Sequence, residues 1–215
     1  MPAALDLYKD EPARTRLHTA IRWYTCPFER IAEHVPATAR DILELGCGHG
    51  LFAAHLALTR PHATVHGTDV DGDKIEAAQR AAARHTGNLT FAPSQPGEIP
   101  EGPWDAIAIV DVLYLIDEAN QRDLVERAAG QLAPNGILLV KEMAHEPKWK
   151  FEWMKLQERI SVKVLGITEG DELAFPKPAD IERWMEQAGL RTQQYRLDRR
   201  YPHPHQLATG TRVMR

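Results

Sequence analysis

Short segments rich in apolar and β-branched residues alternate along this chain with segments whose apolar residues recur at helical spacing. This alternation, with two more strand-like segments at the end, predicts an α/β fold. We expect a doubly wound, mostly parallel seven-stranded sheet with helices on both faces and an antiparallel terminal strand. The predicted strands are 42–45, 64–69, 88–95, 104–114, 137–140, 191–197 and 206–213. The predicted helices include 51–58, 74–78, 124–132 and 178–188, with a turn at 134–136.

Three glycines at alternate positions, Gly46, Gly48 and Gly50, directly follow the first predicted strand. Glycine is needed where the backbone takes positive φ or lets a ligand approach closely, and the next helix would point its N-terminus at the same ligand. The spacing differs from the Gly-x-Gly-x-x-Gly of dinucleotide sites, which disfavours pyrophosphate binding, and the missing Gly-Lys-Ser/Thr excludes a P-loop. A glycine turn that serves packing alone stays open as an alternative.

With Glu44 ahead of these glycines, the segment resembles motif I, acidic-x-Gly-x-Gly-x-Gly, of the class I S-adenosylmethionine (SAM)-dependent methyltransferases of the small-molecule type. The resemblance covers residues 40–143 and, more loosely, the final strand pair. It implies a Rossmann-like fold with SAM as the cofactor, and it places the Glu44 carboxylate at the cationic amino-acid end of SAM. The loop residues implied in cofactor binding are Gly46, Cys47, Gly48, His49 and Gly50.

The second predicted strand ends in an acid, Asp69, about twenty residues after the loop. A doubly wound fold places there the carboxylate that accepts hydrogen bonds from ribose hydroxyls. We therefore predict that Asp69 binds the ribose, with Val70 beside it at the cofactor. Asp71 and Asp73, which follow, are predicted to cap the next helix.

Two further positions follow from the resemblance. Gln95 stands where the family commonly carries an aspartate that recognises the adenine amino group, and its amide can accept the same hydrogen bond. Asp111 and Val112 fall at the cofactor-facing end of the fourth strand. Tyr114, just beyond them, is predicted as a substrate contact, with core packing as an equal alternative.

Composition fits one compact enzyme domain. A chain of 215 residues with 43% hydrophobic residues can bury a substantial core, so we predict a single domain over 1–215. The two cysteines, Cys26 and Cys47, offer neither a disulfide framework nor metal-ligand spacing, which predicts no metal site and a reducing, cytoplasmic setting. A net charge of -4 argues against a broad nucleic-acid surface. No apolar run reaches membrane-spanning length, and the N-terminus lacks a signal-peptide pattern.

Two segments outside the common core should select the substrate. Residues 1–36 are predicted to form a helical cap over the cofactor mouth, with Tyr24 as a substrate contact. Residues 145–175 are predicted as a helical lid inserted after the fifth strand, in which Trp149 and Trp153 begin an apolar stripe. The alternatives for 148–164 are a helix packed on the domain, a partner interface, or a peripheral membrane contact, which three nearby acids weaken.

The resemblance implies in-line displacement, in which an O, N or C nucleophile of a small or lipid-like acceptor attacks the methyl group of SAM. The protein must then hold donor and acceptor in near-attack geometry. A general base helps only when the acceptor is an acidic hydroxyl. Candidate bases are His145, His203 and His205, and each could instead line the site without moving a proton.

Three other functions stay open at this stage. RNA or protein methylation would use the basic residues between 148 and 163 as a docking surface. A non-catalytic scaffold subunit would bind SAM without turnover. A nicotinamide dehydrogenase would be stabilised by NADH rather than by S-adenosylhomocysteine. The acceptor and the oligomeric state are not determined by the sequence.

Overall fold

A computed structural model describes residues 2–84, 87–146, 174–199, 201 and 203–213. Its strands are β1 (Asp41–Leu45), β2 (Thr64–Asp69), β3 (Leu89–Pro93), β4 (Trp104–Val110), β5 (Leu132–Met143), β6 (Leu190–Arg196) and β7 (His205–Arg212). They form a seven-stranded sheet in the order β3-β2-β1-β4-β5-β7-β6. Strand β7 is antiparallel to β5 and β6, and the remaining neighbours are parallel. The predicted fold class is confirmed.

The helices begin where the sequence offers a starting residue. The Asp71 side chain accepts from Lys74 N–H at the start of α5, as predicted, and Asp117 caps α6 in the same way. Pro178 opens α7, and Gly189, at φ +82°, follows its end. The helices are α1 (Ala3–Asp6), α2 (Ala13–Thr25), α3 (Phe28–Ala32), α4 (Leu51–Thr59), α5 (Gly72–Ala82), α6 (Glu118–Gly130) and α7 (Pro178–Gln187).

The core lies on both faces of the sheet. Ile42 of β1 and Ala106 of β4 point into a cluster with residues of α1 to α5, whereas Leu43 and Ile107, one residue further along each strand, pack with residues of α6 and α7. Central parallel strands covered on both faces are expected to be almost continuously apolar, as β1 and β4 are. This layering leaves the carboxyl ends of the parallel strands as one edge where loops meet.

The fifth strand begins earlier than its apolar run predicts. Trp104 pairs with Leu132 and Ala106 with Ile137, so β5 carries three extra residues between these pairs. The predicted turn at 134–136 is therefore a bulge inside a strand, with Asn135 at φ +62°. The fourth strand, in contrast, ends earlier than predicted, at Val110, and Leu113–Leu115 forms a 3-10 turn.

The two segments outside the common core, 1–36 and 145–175, are described to different extents. Residues up to 36 contain α1, α2 and α3, as the sequence predicts for a helical cap. Most of the predicted insertion at 145–175, including Trp149 and Trp153, lies outside the described residues. Within the described part of the chain, no helix has the length and apolarity to cross a membrane.

Candidate functional site

The glycine loop, residues 46–50, connects β1 to α4 with its three glycines at positive φ. At Gly50 a Cβ atom would lie 2.3 Å from the Phe91 ring, and at Gly46 it would lie 2.5 Å from Val112, so packing alone accounts for these two. At Gly48 the nearest atom would be Lys74 Cδ, at 3.9 Å. The open side of the loop is therefore at Gly48, where a ligand can approach the main chain.

Asp69, at the end of β2, fixes this open point. Its Oδ2 accepts a hydrogen bond from Gly48 N–H at 2.7 Å, and its Oδ1 accepts from Asp71 N–H at 2.9 Å. A carboxylate has about four acceptor sites, so this half-buried group can still accept from sugar hydroxyls. Val70, next in the chain, is 61% exposed and adds an apolar surface beside the loop.

Glu44 is buried beneath the loop, and its Oε2 accepts from Ala53 N–H, in the first turn of α4, at 2.8 Å. Burial raises the pKa of this carboxyl to about 8, although the Ala53 hydrogen bond and the Arg22 charge act against the rise. At neutral pH the group therefore holds a proton in the absence of a cation beside it. Its contact with the amino-acid end of SAM stays a prediction.

The N-terminal helices touch the loop at His49. Tyr8 Oη donates to the His49 carbonyl at 2.5 Å, and the His18 ring of α2 lies 4.9 Å from the His49 ring. Cys47 is buried, and its N–H donates to Thr68 O. Tyr8 and His18 are site neighbours that sequence reasoning missed, because nothing local to them marks a contact with a loop about thirty to forty residues away.

A buried ion cluster, here called the Asp111 cluster, lies just past the end of β4. Asp111 adopts φ +57° and pairs with Lys141 Nζ of β5 through Oδ1 and with Arg22 Nη1 of α2, at 2.8 Å, through Oδ2. Burial alone would raise the pKa of Asp111, but the charges of Lys141 and Arg22 outweigh it and hold the pKa below its ordinary value. Asp111 is therefore ionised, and its predicted contact with the cofactor stays a prediction.

Arg22 is the cluster member that faces solvent. Its side chain is 32% exposed and a guanidinium has five N–H donors, so donors remain beyond the one used on Asp111. Its charge also acts on the Glu44 carboxyl and opposes the rise of that group's pKa. Sequence reasoning missed Arg22. The available signal was the helical spacing of His18, Arg22 and Cys26 along one face of α2.

Glu142, also missed, supports the loop that follows β4. Its Oε1 accepts from Val112 N–H at 3.0 Å and from Leu113 N–H at 2.7 Å, while Oε2 finds no partner among the described residues. Burial, followed by the nearby Asp111 charge, raises the pKa of Glu142. Glu142 thus holds the main chain at Val112, the residue whose side chain lies against Gly46.

The candidate bases differ in their surroundings. His205 precedes the predicted strand 206–213 but in the structure is the buried first residue of β7, where Nε2 donates to Thr25 O at 2.7 Å. Its Nδ1 has no partner among the described residues, and burial followed by the Lys141 charge lowers its pKa well below the ordinary value. The His203 ring lies 6.0 Å from it. His145 contacts Pro176 O through Nε2 at 3.2 Å.

The structure separates the predicted acceptor and adenine contacts. Tyr24 is 65% exposed on the face of α2 opposite Arg22, so it is not brought to this site. Tyr114 is half-buried and stacks on Phe175, with ring centroids 5.2 Å apart. Gln95 is exposed past the end of β3, and its N–H donates to Glu98 Oε2 at 2.7 Å. Their roles toward ligands stay predictions.

Residues 43–138 match the family model described as a methyltransferase domain. An uncharacterized methyltransferase of Mycobacterium bovis is 31% identical over 106 residues, which is 49% of this chain and 52% of that protein. A trans-aconitate 2-methyltransferase of Pseudomonas paraeruginosa is 31% identical over 132 residues, 60% of this chain and 45% of that protein. The chain thus spans about half the length of these curated relatives.

A solved structure shows the same fold over nearly the whole chain. Magnesium protoporphyrin IX methyltransferase from Synechocystis, crystallised with bound SAH, superposes with a TM-score of 0.70 at 18% identity. The match covers 97% of this chain and 92% of that one. At this identity the likeness concerns the fold alone.

Proposed function

We propose that the chain transfers a methyl group from SAM to an O, N or C nucleophile of a small or lipid-like organic acceptor, because residues 43–138 match a methyltransferase domain model. The observation that carries this proposal is the open main chain at Gly48, tied by its N–H to the Asp69 carboxylate. SAM supplies an already activated methyl group on a sulfonium. The residues of the chain therefore have to bind the cofactor and the acceptor, orient them, and exclude water from the site.

On the cofactor side, Asp69 accepts hydrogen bonds from the ribose and Val70 covers the adenine ring. Gln95 recognises the adenine edge, and the Gly48 main chain lies against the amino-acid part. Glu44 offers a carboxylate that becomes ionised when a cation comes close to it. These assignments are supported by exposure at Val70, by the absence of a close contact at the Cβ position of Gly48 among the described residues, and by acceptor capacity left on Asp69.

Arg22 is proposed to bind the carboxylate of the cofactor. Its guanidinium is partly exposed, uses one donor on Asp111 among the described residues and is fixed by that bond. A fixed arginine fork suits a carboxylate, which it can bind through two parallel hydrogen bonds. Lys141 then has the separate task of keeping Asp111 charged and in place.

For an acceptor with an acidic hydroxyl, the candidate bases are His145, His203 and His205, of which His205 is buried. Its Nε2–H is committed to the Thr25 carbonyl, which leaves Nδ1 as the lone-pair acceptor. The lowered pKa keeps this ring neutral at physiological pH. For an amine that arrives neutral, or for a carboxylate, no base is required.

A small acceptor is favoured over a macromolecule by the net charge of -4 and by the similarity to a trans-aconitate 2-methyltransferase. Both described cysteines are free, which fits the proposed reducing, cytoplasmic setting. We also retain the proposal of one domain over 1–215. A membrane contact through 148–164 would involve residues outside the described part of the chain.

The test is a titration calorimetry experiment with S-adenosylhomocysteine. Asp69→Asn should weaken binding by about 10- to 150-fold, because charge-assisted hydrogen bonds of about 1.5 to 3 kcal/mol are weakened. Asp73→Asn, a matched change on exposed α5, should leave the affinity within about twofold. No binding by the wild-type chain, or equal binding by Asp69→Asn, would overturn the assignment.

Transfer of a labelled methyl group to a panel of carboxylates, phenols and amines then tests catalysis. Turnover on one class identifies the acceptor atom. Tight cofactor binding without turnover on small acceptors, RNA or protein would instead favour the scaffold alternative. Stabilisation by NADH but not by S-adenosylhomocysteine would favour the dehydrogenase.

A further inference from the structure

The glycine loop is held by a residue that lies far from it in the chain. Tyr8 is 1% exposed, and its Oη donates to the carbonyl of His49, the residue between Gly48 and Gly50. Burial, followed by the Cys47 charge, raises the Tyr8 pKa well above its ordinary value, so the hydroxyl keeps the proton that it donates. The contact joins residues 8 and 49, which only the folded chain brings together.

The hydrogen bond from Tyr8 acts on a peptide group inside the glycine loop, so it can fix the conformation of that loop. The His49 carbonyl and the Gly50 N–H belong to one peptide plane, and Gly50 N–H donates to Cys47 O at 2.8 Å. Tyr8 and Cys47 therefore hold this plane from both ends, while Asp69 holds the preceding bend at Gly48 N–H. The three glycines lose conformational entropy when the loop adopts its binding conformation. Each hydrogen bond that already holds the loop in that conformation reduces the entropy lost on binding.

The segment that carries Tyr8, residues 2–11, is here called the N-terminal strap. Its far end is clamped to α5 by Glu11, which is buried. Glu11 accepts from Arg80 Nη2 at 2.9 Å and from Arg84 Nη1 at 3.2 Å, and Arg84 Nη1 also donates to Leu7 O at 2.8 Å. Hydrogen bonding to Arg80, which outweighs the effect of burial, lowers the Glu11 pKa and keeps it ionised.

The strap is thus attached to both walls of the cofactor site. One wall is the glycine loop after β1, and the other is α5, which begins three residues after Asp69. Apolar side chains anchor the strap between these attachments, since Ala4, Leu5 and Leu7 are buried in the core cluster shared with α4 and α5. The strap could stabilise the fold generally, or it could set the geometry of the loop in particular.

We propose that Tyr8 is a positioning residue for the cofactor: through the His49 carbonyl, the N-terminal strap fixes the glycine loop in its binding shape. The inference rests on the proposed function, because it concerns the same cofactor site. Tyr8 makes no contact with the reacting atoms. Its loss therefore raises the dissociation constant and the KM for the cofactor and leaves kcat at saturating cofactor nearly unchanged.

The test replaces Tyr8 by Phe, which removes only the hydroxyl. At a temperature far below unfolding, S-adenosylhomocysteine should bind Tyr8→Phe about tenfold more weakly than wild type, as expected for one lost hydrogen bond. The control is Trp104→Phe, which removes the Nε1–H donor to Pro100 O together with part of a buried ring, at the opposite edge of the sheet. It should lower the melting temperature without changing the affinity.

Glu11→Gln supplies a second variant that leaves the tyrosine in place. It should weaken cofactor binding by about two- to fivefold, because the clamp loses its charge but keeps some hydrogen bonds. Wild-type affinity in both Tyr8→Phe and Glu11→Gln would overturn the inference alone, as would a loss of kcat with unchanged affinity. Absence of binding by the wild-type chain would overturn the proposed function and the inference with it.

Discussion

The glycine loop and the Asp111 cluster both lie at the carboxyl edge of the sheet, but different parts of the chain build them. The loop and most of its hydrogen-bond partners come from residues 44–71, with Tyr8 as the distant exception, and its shape is set by main-chain conformation and by hydrogen bonds to peptide groups. The Asp111 cluster unites side chains of residues 22, 111 and 141, and its shape is set by the mutual compensation of buried charges. The first region depends on backbone geometry and the second on charge balance.

This difference predicts how each region fails. A buried ion pair gives little net stability over an apolar replacement, but removing one partner leaves an uncompensated charge. A loop of glycines at positive φ fails when a Cβ atom is added, without any change in charge. The two regions should therefore respond to opposite kinds of substitution.

The largest effect is expected at Lys141. Lys141→Met leaves Asp111 with only the partly exposed Arg22, so the free energy of unfolding should fall by about 3 to 5 kcal/mol in urea denaturation. Arg127→Met, which breaks an exposed pair with Asp123, should cost less than about 1 kcal/mol. The double variant Lys141→Met, Asp111→Asn should recover part of the loss. A cost at Lys141 equal to that at Arg127 would contradict the charge-balance account.

The next effect should appear in the loop. Gly50→Ala places a Cβ 2.3 Å from the Phe91 ring at φ +74°, so we expect a loss of about 2 to 3 kcal/mol in stability together with loss of cofactor binding. Gly72→Ala is the control, since nothing lies within 4 Å of its added Cβ and the residue is helical. It should be neutral or slightly stabilising. Normal binding by Gly50→Ala would show that the loop tolerates side chains.

A third experiment distinguishes two roles of Arg22, binding the carboxylate of the cofactor and stabilising the Asp111 cluster. Arg22→Lys keeps the charge near Asp111 but loses the planar fork, so S-adenosylhomocysteine should bind about tenfold more weakly. Binding of 5′-methylthioadenosine, which lacks the amino-acid part, should be unchanged. Arg16→Lys, on the exposed surface of α2, serves as the control. Equal losses for both ligands would mean that Arg22 acts on the fold of the site and not on the carboxylate.

The same contrast explains which parts the sequence made predictable. The loop, Asp69 and the β1 and β2 strands follow from local spacing, because each feature is encoded within a few residues of its neighbours. Lys141 and Glu142 have no local signal of this kind, and the helical spacing that marks Arg22 indicates only a face of α2 and not its partner, Asp111. Lys141 and Glu142 directly follow the apolar run 137–140, and only the observed extension of β5 to Met143 shows that they are buried.

Strand ends were predicted less well than strand centres. The Pro-Asn-Gly sequence at 134–136 has the chemistry of a turn, and in the structure it forms a bulge, because pairing with Trp104 continues on its far side. The fourth strand ends before Asp111, whose backbone at φ +57° turns it into the ion cluster. Long-range pairing decides both outcomes, and local propensity does not report it.

The smallest expected effect concerns a charge in the loop region. Burial raises the pKa of Glu44 from 4.5 to about 8, so its contribution to stability is fully present below pH 4.5 and is lost as the pH rises through 8. Between pH 7 and 9 the free energy of unfolding should fall by about 1 kcal/mol more in wild type than in Glu44→Gln. Glutamine can still accept from Ala53 N–H, so only the titration is removed. Equal pH dependence in urea denaturation of the two proteins would show that the Glu44 carboxyl is not protonated at neutral pH. The glycine loop would then lie over a permanent negative charge, and backbone geometry alone would not distinguish it from the Asp111 cluster.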